Sequence, residues 1–338
     1  MSSTMLKEIL EQPEAARSTL AGLSRLKDEV ADLNIKVKRV LFFARGTSDN
    51  AATYGLYLMP VIAGLDAASG TPSVATAYQA TVDLTDTLVV CISQSGSTQE
   101  ICDSALWAKS HGATTVAITN GLESPLSRTC DLTIYLNAGP EEAVPATKTY
   151  TCSLVAIAML AGVLSHDDKF LMQLEGVPSA MQEAIETSNV HDLAAALSIS
   201  DKVVLAGRGF SMSAASEIAL KLKETCYILA MGGSTADLQH GPLAVLDGMT
   251  PLVVFDPHPL SPVQSGLDAV VERAHQLRAQ VFRVGPSGSA GLVVPLMPET
   301  LMPMLLPIPG QLAVEKAALA RGLNPDNPRG LTKVTQTS

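Results

Sequence analysis

Residues 39–48, Arg-Val-Leu-Phe-Phe-Ala-Arg-Gly-Thr-Ser, return in altered form at 202–211 as Lys-Val-Val-Leu-Ala-Gly-Arg-Gly-Phe-Ser, so that Arg45 recurs as Arg208 at an offset of 163. The same offset carries Thr87-Leu88-Val89-Val90 onto Thr250-Pro251-Leu252-Val253. Two matches at one offset point to a duplicated unit. Strand candidates at 37–43, 86–93, 114–119 and 131–136 alternate with helical patterns, the signature of βαβ units on a parallel sheet. Helical spacing of apolar residues is predicted over 1–35, 148–164, 167–187 and 191–197, with the copies joined near 187–191. The expected domains are 1–187, holding an N-terminal helix and the first α/β unit, and 188–323, the second unit, followed by an extended tail at 324–338.

A chain of 338 residues, 47% hydrophobic and 17% charged, can bury two cores of ordinary size and carries no signature of disorder. Its net charge of −10 argues against a nucleic-acid surface, which needs a basic stripe. It leaves an anionic small molecule open, because a pocket's own field governs such a ligand. The polar start Met1-Ser2-Ser3-Thr4 lacks the apolar core of a signal peptide, and the longest uncharged run, 149–164, is flanked like a buried helix. Neither a membrane nor a nucleic acid is expected as a partner. Five widely spaced cysteines (Cys91, Cys102, Cys130, Cys152, Cys226) form no CxxC or His/Cys cluster, so they read as packing thiols of a cytoplasmic protein.

The residues after the second strand candidate are Ser93-Gln94-Ser95-Gly96-Ser97-Thr98, with a helical pattern from Gln99 onward. A helix start presents unpaired N–H groups and the positive end of a dipole, so this hydroxyl-rich turn suits an anion such as phosphate. The alternative is a Ser/Thr cap on an ordinary βα loop. The second copy has Asp256-Pro257-His258-Pro259-Leu260-Ser261 instead, and its prolines cannot donate N–H groups to a phosphate.

Three further clusters carry chemistry. Glu217, Lys221 and Glu224 fall on one helical face, which suits either a surface ion-pair stripe or an acid/base pair. His240 stands alone in a turn before Gly241-Pro242, and Lys333 stands near the C-terminus.

Together these clusters resemble the sugar isomerase (SIS) domain pair, as found in the isomerase half of glutamine–fructose-6-phosphate aminotransferase and in stand-alone glucosamine-6-phosphate deaminases. The matching stretches are Gly46-Thr47-Ser48, residues 93–98, Val144-Pro145-Ala146-Thr147-Lys148, residues 217–224, His240-Gly241-Pro242 and the run from Asn327 to Lys333. The resemblance implies two tandem three-layer αβα domains, with the tail closing the site. It assigns Ser93, Gln94, Ser95, Thr98 and Ser48 to a sugar phosphate, and Gly46, Thr47 and Val144 to the rest of the substrate. Glu224 would move a proton between C1 and C2, with Lys221 beside the reacting atoms. His240 would assist ring opening from the neighbouring subunit of a homodimer, and Lys333 matches a Schiff-base lysine. Neither a metal nor an organic cofactor is implied.

Departures from the family pattern bear on the substrate. Met231-Gly232-Gly233 replaces an acidic-small-aromatic stretch, and Ala146 stands where a serine is usual. The repeat also starts too early for a preceding glutaminase domain. The expected reaction is therefore conversion of glucosamine 6-phosphate to fructose 6-phosphate and ammonia. The alternatives are a fructosamine-phosphate deglycase, a ketose-phosphate isomerase, or a phosphosugar sensor without catalysis.

Overall fold

The computed structural model describes residues 2–33 and 35–333; the expectation of an extended tail over 334–338 lies outside them. The described chain divides into two compact units. One is built from residues 14–33, 35–141 and 148–176, the other from 2–13, 142–147 and 177–333.

The first unit holds a five-stranded sheet of β1 (Arg39–Phe43), β2 (Asp66–Ser69), β3 (Thr87–Ile92), β4 (Thr114–Thr119) and β5 (Leu132–Tyr135), in the order β2-β1-β3-β4-β5. Every pairing is parallel. Parallel strands covered on both sides read as continuous apolar runs, and β3 is buried at every position. Consecutive residues of β1 show the two covered faces. Phe42 lies under Gly55 of the helix Thr47–Leu58, where an added Cβ would come within 2.4 Å of its ring. Phe43 points the other way, its ring edge-on to Trp107 of the helix Gln99–Ser110 with centroids 6.2 Å apart. The helix Lys148–Ser165 is long and apolar enough to cross a membrane, but 89% of it is buried inside the protein.

The second unit holds β6 (Lys202–Gly207), β7 (Leu229–Ser234), β8 (Leu252–Phe255) and β9 (Val281–Val284), in the order β7-β6-β8-β9, again all parallel. Val204, Ala206, Leu252 and Val254 pack against Leu267, Val270 and Ala274 of the helix Gln264–Gln276. The opposite face is covered by the helix Met212–Lys221, which lies close against Gly232 of β7.

The duplication extends to the hydrogen-bonding register. Leu41 pairs with Val89 and Phe42 with Val90 in the first sheet; Val204 pairs with Leu252 and Leu205 with Val253 in the second, all at the same offset of 163. Gly46 and Gly209, which follow β1 and β6, both sit at φ 58°. The expected N-terminal helix is three helices, Thr4–Leu10, Gln12–Leu20 and Leu23–Leu33, and the stretch expected at 167–187 is two, Asp168–Leu174 and Val177–Thr187.

Candidate active site

In the first unit, β1 and β3 are neighbours with Phe43 level with Cys91, so the turns that follow them emerge side by side. The carboxyl ends of parallel strands are where such sheets bind ligands. The turn after β1 carries Gly46, Thr47 and Ser48; the turn after β3 is residues 93–98. A bidentate ion pair ties them together, Arg45 donating from Nε and Nη2 to the two Glu100 carboxylate oxygens at 2.9 and 2.8 Å. This bond holds the Arg45 guanidinium above its ordinary pKa and neutralises an acidic group beside the anion turn.

The Thr98 hydroxyl does not cap the helix, while the Ser95 hydroxyl accepts the Ser97 N–H at 3.2 Å and the Ser97 hydroxyl donates to the Ser95 carbonyl at 3.3 Å. Thr98 is the N-cap of the helix Gln99–Ser110 and makes no side-chain capping bond; its Oγ1 lies 3.3 Å from Ser93 Oγ. Gly96 takes φ 63°, and a Cβ there would come within 2.1 Å of Ser124 Oγ. The backbone is drawn in around it, with Leu126 N–H donating to Gly96 O at 3.0 Å and Asn120 N–H to Gln94 O at 3.0 Å. The result is a fixed turn that gathers serine and threonine hydroxyls at a helix start, an arrangement whose chemistry suits an anion.

The second copy fills the same position from within. Asp256, aligned with Ser93, is buried and accepts two bonds from Arg283 at 2.8 Å each, and Arg283 also donates to Asp268 at 2.9 Å. The Asp256 bond leads in raising the Arg283 pKa above its ordinary value. At this position the second copy carries a buried carboxylate satisfied by its own arginine instead of a free hydroxyl.

In the second unit the helix Met212–Lys221 runs into a π-turn, Leu222–Cys226. Lys221 Nζ lies 2.6 Å from Glu224 Oε2 and 3.4 Å from Glu217 Oε1. The possibility of a surface ion-pair stripe is overturned, because the Lys221 and Glu217 side chains are 1% and 0% exposed while Glu224 is 22% exposed. Burying a charge is tolerated only with partners in place, so Glu217 and Glu224 secure Lys221, and Lys221 fixes the buried Oε2 of the part-exposed Glu224. π-turns are frequent at functional sites, and this one carries Glu224, the candidate base.

Lys333 belongs to the same unit. Its Nζ donates to Ala143 O at 2.6 Å, and the neighbouring Val144 N–H donates to Asp326 O at 2.9 Å, so Lys333 and the Val144 segment are brought together. His240 ends the helix Thr235–Gln239 and is exposed. The 231–233 stretch is part of β7; a Cβ on Gly232 would come within 2.6 Å of Ala215 O, whereas one on Gly233 would meet nothing within 4 Å. Sequence reasoning missed Glu100, Tyr227 and Asp326. Only the place of Glu100 in the first turn of a helix after an anion loop could have pointed to it.

The chain belongs to the SIS domain family, whose sequence profile matches residues 35–162 and 196–282. It is 35% identical over 352 residues to the glutamine–fructose-6-phosphate aminotransferase of Thermococcus kodakarensis, covering 97% of this chain and 57% of that protein's length. Its fold matches the C-terminal domain of the Francisella tularensis glucosamine-fructose-6-phosphate aminotransferase with a TM-score of 0.88 at 26% identity, over 97% of this chain and 99% of that one. A candidate phosphosugar isomerase of Silicibacter pomeroyi matches with a TM-score of 0.85 at 30% identity, over 96% of this chain and 100% of that one.

Proposed function

We propose that this chain is a phosphosugar isomerase that deaminates, converting glucosamine 6-phosphate and water to fructose 6-phosphate and ammonia. The observation that carries this reading is the Glu224 carboxylate, part-exposed and held 2.6 Å from a fully buried lysine. Aldose–ketose interconversion needs such a base, with a cation steadying the charge that develops on the enolamine.

In this reading Ser93, Gln94, Ser95, Thr98 and Ser48 grip the phosphate, and Gly46, Thr47 and Val144 line the substrate. The anchored phosphate holds the open chain in register. His240 assists ring opening, and its exposure suits donation to a second copy of the chain in a homodimer. Glu224 takes the C2 proton and returns a proton to C1, leaving an imine at C2. The Lys333 amine, once it leaves the Ala143 carbonyl, adds at C2 and expels ammonia; water then cleaves the lysine imine to give fructose 6-phosphate.

Purified protein given glucosamine 6-phosphate should release ammonia, and Glu224→Gln should slow that release by about 10²- to 10⁴-fold. Absence of ammonia above background, with the variant and parent alike, would overturn the assignment. The open space at Gly233 favours one further substrate, a fructosamine phosphate with a bulkier amine substituent. Faster turnover of glycated amino acid phosphates than of glucosamine 6-phosphate would establish it.

A further inference from the structure

Tyr227, directly after the π-turn that carries Glu224, holds a backbone conformation that its side chain disfavours. Its φ is 57° and its ψ 32°, the left-handed region where a bulky non-glycine residue is rare and strained. Glycine would close this turn without strain. What tyrosine adds is a grip on the C-terminal segment. Its hydroxyl accepts the Arg329 N–H at 2.8 Å, and the Arg329 guanidinium lies 4.2 Å over its ring. Upstream, Asp326 accepts the N–H groups of Thr4 and Met5 at 2.9 and 2.7 Å, and its carbonyl accepts Val144 N–H. Downstream, Lys333 reaches the Ala143 carbonyl at 2.6 Å. Residues 326–333 are thus fastened at both ends to the 143–144 backbone, and in the middle to the residue three positions after Glu224.

We propose that Tyr227 is a positioning residue, a latch that sets the register of residues 326–333 so that the Lys333 amine is presented for imine formation. The role of Lys333 rests on the reading above; the latch itself does not. Tyr227→Phe loses only the hydroxyl and Arg329→Ala only the stacked cation, since residue 329 keeps its N–H. Tyr227→Gly loses both contacts while relieving the backbone, which guards against a variant that merely fails to fold.

Two measurements on the full chain test this. Hydrogen exchange of residues 326–333, without substrate, should quicken about fivefold in Tyr227→Phe or Arg329→Ala and more in Tyr227→Gly, with thermal midpoints preserved. Borohydride trapping of fructose 6-phosphate on Lys333 should fall in the same order, with kcat reduced and KM for the sugar phosphate nearly unchanged. Arg329→Lys should restore part of both. Unchanged exchange in Tyr227→Gly would overturn the latch. Altered exchange with no trapping even in the parent protein would leave the latch standing and overturn the role given to Lys333.

Discussion

At Gly96 the anion turn depends twice on a missing side chain. The φ of 63° disfavours any L residue, and the space where a Cβ would go is occupied by Ser124 Oγ at 2.1 Å. Gly96→Ala should therefore destabilise the protein by about 2 kcal/mol, read as a lower urea midpoint, and should weaken inorganic phosphate binding in a calorimetric titration. The hydroxyls of this turn were legible in the sequence because a buried strand followed by serines and a helix start leaves few readings. The strained Tyr227 was not, since a tyrosine announces no left-handed backbone. Asp326 was equally hidden: the N–H groups that its carboxylate accepts lie more than 300 positions away.

Among the elements, the helix Met212–Lys221 shows what periodicity can and cannot say. Spacing placed Glu217, Lys221 and Glu224 on one face. It could not say whether water or protein lies against that face, because the covering residues come from distant segments. Here that helix sits so close to β7 that Gly232 is needed beneath Ala215 and Ala219, where an added Cβ would come within 2.6 Å of the Ala215 carbonyl and 2.9 Å of Ala219 Cβ. The glycine read in the sequence as a departure bearing on substrate is a packing requirement of the helix that carries Glu217 and Lys221. Gly232→Ala should cost about 1–3 kcal/mol of stability by thermal unfolding, and should lower kcat more than it raises KM as the helix shifts. Strands β1, β3, β4 and β5 were legible as short, mainly apolar runs alternating with helical patterns. Strand β2, Asp-Ala-Ala-Ser on an edge with mostly exposed positions, has no apolar pattern to read, and β7, another edge, begins at an exposed leucine and contains two glycines.

Across the whole molecule the duplication was the most legible feature, because the segments that match at an offset of 163 are themselves paired strands, and both copies keep the same pairing. Resistance to acid is a property of the same scale. The Lys202 ammonium at 2.8 Å, the Thr250 hydroxyl and the Met249 N–H hold the Asp247 carboxyl at about 2, below its ordinary 3.8. A carboxyl depressed in the folded state adds stability that is complete above its unfolded value and is lost as pH falls through the folded one. Between pH 4 and about 2 the unfolding midpoint should fall more steeply in the parent chain than in Asp247→Asn, as followed by circular dichroism. The Asp256–Arg283 pair has a different consequence. Because that carboxylate is part of the chain, it neither departs nor competes as ligand concentration changes, so one duplicated half is permanently silent toward anions. If the turn after β3 takes the phosphate as proposed, uptake through it should be one equivalent per polypeptide and hyperbolic within it, as read by calorimetric titration; a sigmoidal response would have to originate between polypeptides.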